Sequence, residues 1–451
     1  MFRSIFRDKE YLRKLFVIAL PLVIQQVLTY SVNLLDTLMV GSFGDAPLAA
    51  VNLSNQFILL FNMVVFGTIS GGNVLNAQFW GKRDKENIHR VMGMQIIFLL
   101  AVGLIFGVLA WLIPEKLLKF YSDDPEVIAN GAIYLKHLCP VFMLFPLSQI
   151  FGGGMRCTEN TRIPMFISAA ALSTNALFNY MLIFGKFGCP ALGLTGAAIA
   201  TVIARFVEAF LFVLITYLKK LPSAAPLREM VSFRGELVKL MLSKSLPVIA
   251  NEGLFGLGTN MYSAIYAGIS TVAIAAYSAI SPIDSMAQAL FYGLGDACAV
   301  ILGNLLGANE FEKAKLYSKY TLRLVFGLSI FFSLALYLLR GPLLATYNLS
   351  AEAHSVAMTL MTLMALVFIV KTQTYTLLIG ILRPGGQALY GMIVESAVMW
   401  LIGIPLAKVL ATVFHQPMPV VYFGYITDEI VKCTLFKLRV DSGKWIKNLV
   451  D

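Results

Sequence analysis

Apolar residues along this chain neither alternate nor recur as narrow stripes; they run on in long blocks. Segments such as 96–113 (IIFLLAVGLIFGVLAWLI) and 324–339 (LVFGLSIFFSLALYLL) are almost free of charge. The first approaches the roughly 20 residues an α-helix needs to cross about 30 Å of hydrocarbon. Glycine, proline and charge clusters break these blocks and predict spans at about 15–40, 48–72, 92–113, 131–153, 162–184, 192–217, 239–266, 274–302, 318–339, 354–382, 388–414 and 417–437. A helix satisfies its own backbone hydrogen bonds, which is what a segment without water requires. The expected fold class is an all-α membrane protein with about 12 transmembrane helices.

Composition excludes a soluble fold. The 451 residues are 58% hydrophobic and 13% charged, against roughly 45–50% and 25% in an ordinary globular protein. The basic start, MFRSIFRDKEYLRKLF, precedes an apolar stretch longer than a signal h-region and without a small-residue cleavage pattern, so it reads as the cytoplasmic end of the first span. Cys139, Cys157, Cys189, Cys298 and Cys433 lie far apart with no C-x-x-C, which suggests neither a disulfide framework nor a thiolate metal site.

The net charge of +10 takes its meaning from its distribution. Of the 35 Lys and Arg residues, most gather before residue 15, in 81–90, 156–162, 219–244 and 313–323, at Arg383 and after 431, all on one side of the predicted layout. Lys116, Lys119, Lys136, Lys186 and Arg340 fall on the other side. This asymmetry is the positive-inside pattern and puts both termini in the cytoplasm of an inner-membrane protein. The basic balance therefore reports orientation, and no nucleic-acid partner is expected.

The chain also repeats itself. Leu20-Pro21 aligns with Leu246-Pro247, Ala49-Ala50 with Ala275-Ala276, Gly67 with Gly293 and Gly81 with Gly307, each 226 positions apart. Gly153-Gly154-Met155-Arg156 echoes Gly380-Ile381-Leu382-Arg383 after a single gap. Six spans per copy is an even number, so the copies are parallel repeats, related by an axis along the membrane normal. The expected organisation is an N-terminal six-helix lobe at 1–218, a cytoplasmic linker at 219–238, and a C-terminal six-helix lobe with a short tail at 239–451.

Polar groups inside such spans are costly and mark function by default. Asp36 lies about four residues from the outer end of the first span, about 6 Å below that surface at 1.5 Å per residue. Asn179 of the fifth span sits at similar depth, Asn175 one turn deeper, and Thr201 enters from the sixth. Their oxygens would hold a hard cation, with Na⁺ at Asp36 the one metal considered, or the aspartate would take up a proton. The alternative is a hydrogen-bonded fastening of three helices. Glu252, at the seventh-span position equivalent to Gln26 and beside Asn251 and Asn260, would bind a cation or a cationic substrate, or else partner a nearby Lys or backbone group.

Lys371 and Glu395 either neutralise each other or line the second lobe, and Arg205 and Glu208, three apart, read as a structural pair. His89, His137, His354 and His415 lack ligand spacing. No G-x-x-x-x-G-K-[ST] loop and no polar stretch long enough for an ATPase domain occur, and no metal or Ser/His constellation suggests an enzyme. Transport driven by an ion gradient, with no cofactor, is the function class left. A passive channel or receptor is the rival.

The segments MVGSFGDAPLAAVNLSNQF, AQFWGKRDKENIHRV, NALFNYMLIFG followed by GLTGAAIAT, LPVIANEGLFGLG and GLGDACAVILGNLLGANEFEKA resemble those of bacterial multidrug and toxic compound extrusion (MATE) transporters. The likeness runs from about residue 10 to residue 445. It implies a rocking antiporter that expels cationic, amphipathic compounds in exchange for Na⁺ or H⁺, and it implies that Asp36, Asn175, Asn179 and Thr201 form the cation site of the N-terminal lobe. Asn179 departs from relatives with a second aspartate there, and Glu252 resembles the seventh-helix acid of the NorM-like branch. Tyr30, Phe57 and Tyr262 are the aromatic candidates for the substrate wall, in a monomer surrounded by lipid. A lipid-linked oligosaccharide flippase on the same superfamily plan is the alternative reading.

Overall fold

The computed structural model describes residues 8–41 and 45–451, with the side chains of 32–38, 40–41 and 45–46 outside that description. Among the described residues the chain is helical and without strands. In order the helices are α1 (Lys9–Gly41), α2 (Asp45–Gly81), α3 (Lys85–Leu112), α4 (Pro114–Lys119), α5 (Pro125–His137), α6 (Val141–Cys157), α7 (Arg162–Phe184), α8 (Gly193–Leu218), α9 (Leu227–Met230), α10 (Gly235–Ile269), α11 (Thr271–Gly307), α12 (Phe311–Leu344), α13 (Ala351–Tyr375), α14 (Ala388–Val398), α15 (Ile404–Thr412), α16 (Met418–Val421) and α17 (Phe423–Asp441). A π-helical stretch, Thr376–Leu382, continues α13, and another, Met399–Gly403, joins α14 to α15.

The apolar blocks became these helices, extended by a turn or more wherever capping residues lay beyond the apolar core. Asp84 caps α3 by accepting from the Asn87 amide, Ser270 caps α11 through the Ala273 amide, and Ser350 caps α13 through that of Ala353. Nine helices among the described residues are long and apolar enough to span a membrane, and the bent pair α5–α6, 53° apart across Leu138–Pro140, makes a tenth. Helix α17 is too polar to meet that standard, so only its tertiary surroundings account for its burial. Trp111, Leu112, Phe166, Phe331, Leu366 and Leu401 are exposed, as side chains facing lipid are. The chain is a multi-pass membrane protein of all-α class.

Two compact units emerge, one comprising Ile24–Ile249 and the other the chain up to Val23 together with Ala250–Asp451. The divisions fall inside α1 and α10, two residues after Pro21 and Pro247, and they are again 226 positions apart. A proline within a helix removes one ladder hydrogen bond and bends the rod. Each unit is sealed by glycine contacts that obey the repeat. In the first unit a Cβ on Gly67 would lie 2.5–2.7 Å from Ile249, and in the second a Cβ on Gly293 would lie 2.5 Å from Val23 Cγ2 and 2.8 Å from its backbone nitrogen. Both members of the second contact are the 226-shifted equivalents of the first.

The second unit's core takes in the start of α1. Tyr11, Leu15, Ile18, Ala19 and Leu22 are buried with residues of α11–α13. The Tyr11 hydroxyl lies 2.9 Å from that of Thr321, and Lys313 reaches Glu10 at 2.9 Å.

The linker between the repeats is fastened to the first unit. His89 on α3 holds it through both ring nitrogens, with Nδ1 2.5 Å from Glu229 Oε2 and Nε2 2.8 Å from the Pro222 carbonyl. Gly93 leaves room for the Met230 carbonyl, which a Cβ there would meet at 2.0 Å, and the Tyr217 hydroxyl donates to the Ala225 carbonyl. Alanine at His89 leaves two acceptors without a donor, a loss of about 1–3 kcal/mol. The expected outcome is at least fivefold faster tryptic cleavage around Arg228 in membranes with an unchanged helical spectrum; parent-like cleavage would show that the imidazole does not hold the linker.

Candidate functional site

In the first unit the inner faces of α7 and α8 carry the polar layer. Asn175 and Asn179 follow one another by one helical turn, so they share a face, and both are buried. Asn179 Nδ2 donates to Asn175 Oδ1 at 3.3 Å. The Thr201 hydroxyl donates to the Ala197 carbonyl on its own helix at 3.0 Å, which leaves its oxygen free to accept. Close approach of α8 to α7 is permitted by Gly196, where a Cβ would sit 2.5 Å from the Leu182 carbonyl. Asp36 lies on α1 with its side chain outside the described residues.

A second line of polar groups joins α1, α7 and α8. Gln25 Nε2 donates to the Ser168 hydroxyl at 2.8 Å, Ser168 in turn to Glu208 Oε1 at 3.5 Å, and Arg205 pairs with Glu208 at 2.7 Å. The guanidinium also lies 5.0 Å over the Phe145 ring. The expected pairing of Arg205 with Glu208 is thus present. Of the two aromatic candidates here, Tyr30 is partly exposed, whereas Phe57 is buried among Phe61, Phe106 and Phe142, its ring 5.1 Å from that of Phe106.

The second unit concentrates charge. Arg383 Nη2 lies 3.1 Å from Glu252 Oε1, and the neighbouring Asn251 donates to Glu395 Oε2 at 2.6 Å. Lys371 pairs with Asp284 at 2.5 Å, and Gln288 donates to the same carboxylate oxygen at 3.0 Å. So Lys371 and Glu395 do not neutralise each other, because each has a partner on another helix. Asp296 accepts from the Tyr375 hydroxyl at 3.2 Å, and Asn260 is exposed. Tyr262 is buried, stacked on Tyr266 and edge-on to Tyr425, and Lys371 lies 5.7 Å over the Tyr425 ring.

Sequence reasoning missed the most deeply buried ion cluster among the described residues. Asp428, Glu429 and Lys432 share one face of α17, with side-chain exposures of 0%, 6% and 1%. Lys432 Nζ is 3.0 Å from Asp428 Oδ2 and 2.9 Å from Glu429 Oε1. Lys432 and Arg383, counted in the sequence with the cations of one side of the layout, are buried in ion pairs. A helix that starts at Phe423 rather than 417 places Lys432 in its middle, and the available signal was the apolar sequence continuing past it, VKCTLF.

No group of three or more His, Cys, Asp or Glu among the described residues is arranged to hold a metal ion. Chemically the two units differ. The first offers the neutral oxygens of Asn175, Asn179 and Thr201 on α7 and α8, and the second offers carboxylates faced by the chain's own cations.

The MatE family profile matches the chain twice, over residues 21–181 and 247–409, with the copies again starting 226 positions apart. A probable multidrug resistance protein NorM of Thermotoga maritima is 25% identical over 446 residues, covering 98% of this chain and 94% of that protein. An uncharacterized transporter of Bacillus subtilis, YisQ, is 22% identical over 98% of this chain and 96% of its own length. Among solved structures, an outward-facing multidrug resistance MATE family transporter of the MOP superfamily superposes with a TM-score of 0.87 at 16% identity, covering 95% of this chain and 96% of that one. A MOP superfamily transporter of Pyrococcus furiosus, described as having a binding pocket of reverse polarity that suggests a different function, gives a TM-score of 0.86 at 16% identity, over 96% of this chain and 95% of that one.

Proposed function

Because the chain belongs to the MatE family, we propose that it is a secondary active exporter of cationic, amphipathic compounds, driven by inward movement of Na⁺ or H⁺ across the inner membrane. The observation that carries the reading is the buried amide pair Asn175–Asn179, with Thr201 on the adjoining helix, in the same unit as the Asp36 segment of α1. Ion or proton occupancy at Asp36 favours one packing of the helices and the cargo favours another, so each expels the other through differential affinity for two states. Both termini are cytoplasmic in this reading, and the monomer is the working unit.

Cargo polarity is supported by the second unit. Its three most buried cations face carboxylate, as Lys371 does Asp284, Arg383 does Glu252 and Lys432 does Asp428 and Glu429. A cavity for pyrophosphate, as a lipid-linked oligosaccharide flippase needs, would leave cations uncompensated. Tyr30 and Glu395 serve as cargo contacts in this reading, since aromatic faces and carboxylates attract flat organic cations.

The test is dye efflux from vesicles containing the purified chain, with Na⁺ and pH gradients imposed in turn. One of the two gradients should drive efflux, and Asp36→Asn should lower the driven rate at least tenfold while membrane insertion stays intact. Efflux that ignores both gradients would point to a passive pore, and full activity in Asp36→Asn would remove the aspartate from coupling.

A further inference from the structure

The interior of the second unit holds more acid than base, and the imbalance is sharpest on α17. Its three charged residues follow the spacing that puts side chains on one helical face. One ammonium, Lys432, answers two carboxyl groups, Asp428 and Glu429. Their surroundings supply no further cation. Glu395, on α14, is another acid, bound to the Asn251 amide; Arg383 is engaged with Glu252, and Lys371 with Asp284. The titratable groups that face Asp428 from α10 and from α17 itself, Tyr262, Tyr266 and Tyr425, are phenols.

The two carboxyl groups are not equivalent. Glu429 accepts a hydrogen bond from Lys432, whereas neither oxygen of Asp428 accepts one and Oδ1 has no donor at all. The Tyr262 hydroxyl, on a residue only 2% exposed, also lacks a partner. Both groups converge over Gly403, at the end of the π-helical turn Met399–Gly403, where a Cβ would lie 2.1 Å from the Tyr262 hydroxyl and 3.2 Å from Asp428 Cγ. Glycine keeps that space open, and π-turns of this kind gather at functional positions.

Two ionised carboxylates against one ammonium leave a net negative charge sealed from water, which a low-dielectric interior resists. A proton on Asp428 removes the excess and turns an acceptor-only group into one with an O–H donor. We propose that Asp428 carries an exchangeable proton, so that the Asp428–Glu429 pair over Lys432 is a proton-binding site of this transporter, separate from the Asp36 layer. The inference rests on the reading of the chain as an ion-coupled exporter. The ion here is a proton and not a metal, because the Lys432 ammonium occupies the position between the carboxylates that a metal cation would take.

Tyr262 sits on α10 and Asp428 on α17, so a shift of α10 changes whether the phenol oxygen can accept from Asp428.

Infrared difference spectroscopy on the purified full-length chain reads the proton directly. At neutral pH the parent should show a protonated-carboxyl C=O band, which Asp428→Asn abolishes, Glu429→Gln preserves and Tyr262→Phe shifts in frequency. Asparagine mimics the neutral acid, so Asp428→Asn should fold; if it does not, the Tyr262→Phe shift carries the assignment alone. Addition of ethidium in weakly buffered detergent should release protons, and Asp428→Asn should reduce that release by at least half, while Asp36→Asn retains the Asp428 share. A band unaltered in both Asp428→Asn and Tyr262→Phe would overturn the proposal. So would loss of the band with unchanged proton release, which would mean a fixed proton. Failure of gradient-driven efflux with the Asp428 band and its release intact would strike the export reading instead.

Discussion

Leucine at Gly67 should disable the folded protein, and leucine at Gly293 should do so to the same degree. At either position the nearest neighbours of an added Cβ include backbone atoms, Ile249 N and Cα for Gly67 and Val23 N and Cα for Gly293, at 2.6–3.0 Å. A side chain can rotate out of the way, but a helix backbone cannot, so the rods must part. Overpacking a tight core costs about 1–3 kcal/mol and occasionally more, and a four-carbon side chain against backbone belongs at or above the top of that range. Size-exclusion chromatography of a fluorescent fusion and a thermal melt in detergent give the measurement. Alanine at Gly253, with nothing within 4 Å of its Cβ, is the matched control and should behave as the parent. A monodisperse Gly67→Leu protein melting at the parent temperature would refute the close contact, and a large difference between the Gly67 and Gly293 variants would refute its equivalence in the two repeats.

Methionine at Lys432 should be the most damaging substitution of a charged residue. It fills a similar volume, yet it strips two enclosed carboxyl groups of the ammonium that faces both. Removing one partner of a buried ion pair typically costs about 3–5 kcal/mol, because the other charge stays behind. The expected result is little or no monodisperse protein. Adding Glu429→Gln to Lys432→Met removes the carboxylate left stranded and should recover part of the yield, a non-additivity that a general packing defect would not show. Parent-like yield from the single variant would mean that the ion cluster contributes nothing to folding.

How much of this was readable beforehand depends on whether the information is local. Spans were legible because hydrophobic length is a property of a segment alone, and Asn175 with Asn179 were legible because a four-residue spacing fixes a shared face. The pairing of Arg205 with Glu208 followed from the same rule. Partners drawn from distant helices were not legible: nothing in LVFIVKTQTY names Asp284 as the group that Lys371 meets, or Glu252 as the partner of Arg383. Helix α17 was misjudged for a different reason. Its DEIVK segment looks like the polar end of a span, and only the surrounding helices reveal that water is excluded there. The division of α1 and α10 between units also escaped, although Pro21 and Pro247, at equivalent places in the repeat, flagged where it would fall.

That division has a consequence for synthesis. Tyr11, Leu15, Ile18 and Leu22 are made first, yet the core they complete is built from residues beyond Ala250. At the ribosome's roughly 5–20 residues per second, the first helix waits about 10–45 s for its permanent neighbours. During that interval its opening turns need a temporary host, and the membrane insertion machinery or bilayer lipid must supply one. Severing the gene at the midpoint would therefore give two fragments that are each born incomplete, able to mature only by trading helical ends.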